Sequence, residues 1–144
     1  MEPEQDDTPY IVAHTVEELD HYEEGQRYFI NILISCRTLI NRILRDPTNK
    51  QLMIDTTHGL SIDKLLLCLV GTPNSSHEFS PICLSLTTNE NTRSAGQVLQ
   101  WVKDHHEGAV KAVMADGALC LSSAINAVFG ESVVRQMCYS HMVR

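Results

Sequence analysis

No stretch of the 144-residue chain is apolar for long enough to cross a membrane. The longest such run, Leu65 to Gly71, has seven residues, against the ~20 that a spanning helix needs. Also missing is the basic stretch followed by an apolar one that marks a secretory leader, because the chain opens MEPEQDDTPY. An intracellular location is expected. There the five cysteines, Cys36, Cys68, Cys83, Cys120 and Cys138, read as reduced thiols and not as a disulfide framework. Residues 1–24 contain no lysine or arginine, yet they hold nine of the eighteen acids. The rest of the chain carries nine acids against eleven bases, so the formal net charge of −7 belongs to the N-terminal segment. That total would argue against a phosphate-bearing partner, whereas a near-neutral body does not. What is present is ordinary for a globular chain. A hydrophobic fraction of 43% supports a core, excludes wholesale disorder and suits one domain at this length.

The acids and prolines of residues 1–16, with few apolar side chains among them, predict a disordered acidic arm. Residues 17–46 are expected to be helical. Phe29, Leu33, Cys36, Ile40 and Ile43 recur at spacings of four and three, which places them on one helical face, and Asp46-Pro47 stops the run. Such a helix, over 27–45, would cover a core or pair with a protein partner or a second copy. Its five basic residues, Arg27, Arg37, Arg42, Arg45 and Lys50, also make residues 25–50 the best stretch for non-specific DNA contact.

From residue 50 the texture changes. Gln51 to Asp55, Leu65 to Val70 and Pro81 to Thr87 are short apolar runs bounded by turn chemistry, which predicts three successive strands in an antiparallel meander. A helix opening at Thr92-Arg93-Ser94 and closing at Gly108 should turn Val98, Leu99, Trp101 and Val102 inward. A strand over Val110 to Ala115 follows, then a helix from Ala118 to Phe129 and a last strand over Ser132 to Met137. The order is β-β-β-α-β-α-β, preceded by the N-terminal helix.

If the fourth strand lies parallel to the first, Asp55 and Asp116 stand side by side at one end of the sheet, about 4.8 Å apart in the sheet direction. Two carboxylates so placed repel unless a cation sits between them, and oxygen donors suit Mg²⁺ or Mn²⁺. An aspartate after a strand also commonly caps a turn or the next helix, so Asp116 has a second reading as a cap on the segment from Gly117.

Four stretches together resemble the transposase domain of Mutator-like elements, the MULE transposase family. They are Met53-Ile54-Asp55-Thr56-Thr57, then Ser80 to Glu90 (SPICLSLTTNE), then Lys111 to Ala118 (KAVMADGA) after the Trp101 helix, and Phe129-Gly130 leading into Met137-Cys138-Tyr139-Ser140-His141. The resemblance implies a ribonuclease H-like fold with a three-carboxylate site. It implies that Asp55 and Asp116 are the first two catalytic acids, binding Mg²⁺ or Mn²⁺. DNA is the implied partner, the chemistry is cleavage and strand transfer in DNA transposition, and a nuclear location follows. The third acid of that family is a glutamate on a helix beyond the Cys-x-x-His element. Here Arg144 follows His141 by three residues, and Glu131 is the one acid after Asp116. Glu131 precedes the last strand and suits a surface turn. A truncated domain of weak or no activity is therefore expected, or else a non-enzymatic DNA- or protein-binding module descended from a transposase. Cys138 and His141 match the Cys-x-x-His element and are minor metal candidates. Zinc is not expected, since His58, His105, His106 and Cys120 form no second ligand pair. His58 and His77 lie in loops near strand ends.

Overall fold

A computed structural model of the chain describes residues 5–21, 26–57, 65–74, 76 and 78–138. Strands stand where residues 10–16 of the expected disordered arm and much of the expected N-terminal helix would lie. β1 (Tyr10–Glu18) and β2 (Tyr28–Ser35) pair antiparallel, from Tyr10 opposite Ser35 to Glu18 opposite Tyr28, with a bulge between Ile11 and Ala13. Among the described residues before Asp46-Pro47, only Arg37–Leu39 (α1) and the π-helical turn Ile40–Leu44 that continues it are helical. The helical surface offered over 27–45 for a partner does not exist.

The reason is visible in β2. Phe29, Asn31, Leu33 and Ser35 are buried, while Ile30, Ile32 and Ile34 on the other face are half-buried. Phe29 and Leu33 satisfy the periods of both a helix and a strand. The β-branched isoleucines at every second position favour the strand. Asn31 and Ser35 have the polarity of a solvent face yet point inward, because their hydrogen bonds are made there. The Asn31 amide donates to the Ser94 carbonyl at 3.2 Å and to Gln97 Oε1 at 2.8 Å, and its oxygen accepts from the Ser85 hydroxyl. Ser35 Oγ donates to the Ile82 carbonyl at 2.6 Å. In β1, the Tyr-Ile-Val start again favours a strand, and its charged end (Glu17, Glu18) suits a sheet edge.

From Gln51 onward come β3 (Gln51–Thr57), β4 (Leu66–Pro73), β5 (Phe79–Thr87), α2 (Thr92–His105), β6 (Ala112–Ala115), α3 (Leu119–Phe129) and β7 (Val134–Met137). All seven strands join one mixed sheet in the order β1-β2-β5-β4-β3-β6-β7. Pairing is antiparallel from β1 to β3 and parallel for β3-β6 and β6-β7. The chain is thus a mixed α/β protein. None of its helices among the described residues is long and apolar enough to cross a membrane.

One face of the sheet carries the core. Leu52, Ile54, Cys68, Val70, Val113 and Ala115 pack against Ala95, Val98, Leu99 and Val102 of α2 and Leu121, Ala124, Ile125 and Val128 of α3. Burying each of the larger aliphatic side chains stabilises the fold by about 1.5–3 kcal/mol. α2 starts with a reciprocal cap: Asn91 accepts from the Ser94 amide at 2.9 Å, and Ser94 Oγ accepts from the Asn91 amide at 3.2 Å. α3 ends at Gly130, whose φ of +74° favours glycine. The opposite face is also apolar. There Ile32, Leu86 and Leu67 form one cross-strand row and Ile34, Leu84 and Leu69 the next, all half-buried.

All five cysteines are free thiols, with Cys36, Cys68 and Cys83 buried. Burial pushes the Cys68 thiol up from its ordinary 9.0 to about 12, helped by the charges of Glu90 and Asp55, and raises Cys83 as well. Above the ordinary thiol range the unfolded chain releases protons that the folded chain keeps. Stability is then full below about pH 8.5 and falls as pH rises through 9 toward 12. Urea unfolding should show a lower midpoint near pH 10 than at neutrality, and Cys68→Ala should narrow that gap. In the same assay Asn31→Ala should cost about 1–3 kcal/mol, because it strands the buried Ser85 hydroxyl and Gln97 amide.

Candidate functional site

The parallel pairing of β3 with β6 sets Gln51 opposite Ala112, Leu52 opposite Val113 and Met53 opposite Met114. Continued two residues further, this register places Asp55 opposite Asp116. Side chains alternate along both strands. Leu52, Ile54, Val113 and Ala115 point into the helix-covered core, so Asp55 and Asp116 share the other face with Met53 and Met114. Asp55 is exposed and Asp116 half-buried. β7 extends the row: the Cys138 amide donates to the Ala115 carbonyl at 2.8 Å, which brings Cys138 level with Asp116.

Asp55 and Cys138 line a cavity of about 310 Å³ with Met53, Leu69, Phe79 and Met114. Its apolar wall depends on Gly71, where a Cβ would lie 2.6 Å from the Phe79 ring. Any larger residue there would push Phe79 aside.

Asp116 caps the turn before α3 and not the helix itself: its Oδ1 accepts from the Ala118 amide at 2.8 Å, while Ala118, the N-cap residue of α3, has no side-chain cap hydrogen bond. That bond does not exclude a metal, since an ionised carboxylate offers about four lone-pair sites. The capping and metal readings of Asp116 are compatible.

Arg135, missed in the sequence, supports this corner. Its guanidinium donates to the Ala115 carbonyl at 3.1 Å, to the carbonyls of Asp116 and Gln136, and at 3.4 Å to Ser122 Oγ. Burial lowers its pKa while the charge of Asp116 raises it. The one signal in the sequence is a charged residue inside a four-residue strand. Glu90, between β5 and α2, was also passed over. Its charge raises the thiol pKa of Cys68 together with Asp55, and of Cys120 together with Asp116, though burial is the larger cause at both.

Other sequence candidates are not brought to the site. Glu131 is exposed and lies where β7 begins, at the other end of the sheet. His105 and His106 lie at the C-terminal end of α2, also at that far end. His58, His77 and His141 fall outside the described residues. Among the described residues no group of three or more His, Cys, Asp or Glu is placed to hold a metal.

The family model of the MULE transposase domain matches residues 51–144. The chain belongs to the MULE transposase domain family. Comparison with curated proteins finds no match. Within this MULE transposase domain the matched stretch starts at β3, and it contains both aspartates and the strand pairing that aligns them. β1 and β2, which complete the sheet, lie outside it. Transposases of this kind generally use divalent metals, and two carboxylates level with each other on one face suit a hard, partly hydrated cation.

The turn bond makes a prediction. Asp116→Ala should lower stability by about 0.5–1.5 kcal/mol, the net worth of one hydrogen bond, whereas Asp116→Asn, which keeps the acceptor, should stay close to wild type in thermal unfolding.

Proposed function

We propose that this chain is a transposase-derived protein with a ribonuclease H-like fold, in which Asp55 and Asp116 hold one Mg²⁺ or Mn²⁺. The observation that carries this reading is the β3-β6 register, which sets the two carboxylates opposite each other on one face. The ancestral activity is cleavage and strand transfer of DNA phosphodiesters, which would place the protein in the nucleus. When bound, the metal would supply charge stabilisation and an activated oxygen nucleophile.

The chain's own residues do the positioning. Asp55 is exposed within β3, two residues before its end. Asp116 is held by the Ala118 amide, and its backbone carbonyl is tied down by Arg135. Cys138 and Phe79 wall the neighbouring cavity. Among the described residues no third ligand joins this pair, and a concerted site that lacks a member loses orders of magnitude in rate. The described residues by themselves are thus proposed to form a weak or inactive nuclease. A second reading, a non-enzymatic DNA- or protein-binding module of the same descent, is favoured by the two-carboxylate count among the described residues.

Calorimetric titration separates the two. Wild type should bind Mn²⁺ weakly at one site, and Asp55→Asn or Asp116→Asn should abolish the signal. Indistinguishable curves for the three proteins would remove the metal reading and leave the binding module. Nicking of supercoiled DNA that survives Asp116→Asn would be assigned to a contaminant.

A further inference from the structure

A cavity among the described residues lies at the end of the sheet away from Asp55 and Asp116. It measures about 750 Å³ and is bounded by the start of β1, the helical segment after β2 and the last turn of α2. This volume falls in the range of small-ligand clefts. Its chemistry is one-sided. Arg37 and Arg45 supply two guanidinium groups, Asn41 an amide, and Tyr10, Trp101 and His105 aromatic surface. No acid lines it, in a chain whose formal net charge is −7. His105 is stacked on Trp101 with ring centroids 4.7 Å apart and planes 29° apart, held by a 2.8 Å contact from its Nδ1 to the Trp101 carbonyl.

Two acids stand at the rim. The Asp6 carboxylate lies 3.6 Å from the guanidinium of half-buried Arg37, and Asp7 Oδ1 accepts from the Thr38 hydroxyl at 2.5 Å. A pair as long as Asp6–Arg37 contributes little, and a doubly hydrogen-bonded phosphate would compete with it. Guanidinium groups beside stacked aromatic rings are what a nucleotide requires, with its phosphate on the cations and its base against the rings.

We infer that the Arg37–Arg45–Trp101 cleft binds nucleotide units of single-stranded DNA, with backbone phosphates on the two arginines and a base on the Trp101–His105 stack. The choice of DNA rests on the reading of the chain as a DNA-contacting protein. The cleft itself is argued from its own residues. A strand seated there would be gripped at the end of the sheet opposite the carboxylates. Binding would be salt-dependent and largely indifferent to sequence, since phosphates and ring faces are common to every nucleotide.

The test uses the full chain and its one tryptophan, Trp101. An oligothymidylate of about ten nucleotides, long enough for one such site, should quench Trp101 fluorescence and bind more weakly as salt rises. The double substitution Arg37→Gln, Arg45→Gln should weaken that binding by on the order of tenfold or more, with unchanged circular dichroism and thermal midpoint. A parallel titration with thymidine monophosphate identifies the source of the ligand. Quenching only by the strand supports the inference as stated, and equal quenching by the mononucleotide overturns the strand in favour of a free nucleotide. Absence of quenching, or quenching that the double substitution does not change, overturns the cleft. If duplex DNA still binds in that case, the DNA-contact reading stands without it. If no DNA binds at all, both fall.

Discussion

The parallel pairing of β3 with β6 is the contact on which the rest of the molecule turns. The first five strands are antiparallel and could close on themselves without it. β6 can reach the free side of β3 only after a crossover, and α2 is that crossover. Once α2 is drawn over one face, α3 follows on the same face to join β6 to β7, and the two helices enclose the core with Leu52, Ile54 and Val113. The same pairing aligns Asp55 with Asp116. A slip of one residue would turn one aspartate into the core and expose an aliphatic residue in its place. Core burial therefore sets the site register, and the cost of misplacing it is that of burying a charge.

Around that pairing the strand end is held by main-chain carbonyls more than by ion pairs. Arg135 bonds the carbonyls of Ala115, Asp116 and Gln136, and Asp116 accepts from the Ala118 amide while keeping further lone pairs. At the other end of the sheet Arg37 and Arg45 stand in the lining of a cleft, which would suit phosphate.

From Gln51 to Met137 the strands, helices and the Asp55–Asp116 spacing were legible in the sequence, because each apolar run is bounded by turn residues or a cap and has one period. Val98, Leu99 and Val102, or Leu121, Ile125 and Val128, have no reading except the inner face of a helix. The N-terminal third was misread. Phe29 and Leu33 fit two periods at once, and Asn31 and Ser35 carry polarity that suggests solvent. Their partners, Ser85, Ser94, Gln97 and Ile82, lie 47 to 66 residues away. Arg135 was opaque for the same reason, since its acceptors are backbone carbonyls that no sequence displays.

By itself the sequence determined the family, the succession of elements after residue 50, the core placement of Cys68 and Cys83, and the candidate pair Asp55 and Asp116. Local periodicity and turn chemistry carry that information within a few residues. Only the tertiary structure decided that residues 10–18 and 28–35 are strands completing the sheet, that Asp116 closes the turn before α3 through the Ala118 amide, and that Arg37, Arg45 and Trp101 converge on one cleft. Those outcomes depend on where distant hydrogen-bond partners and charges arrive once the core has closed, and burial of a polar group is tolerated only where such partners arrive.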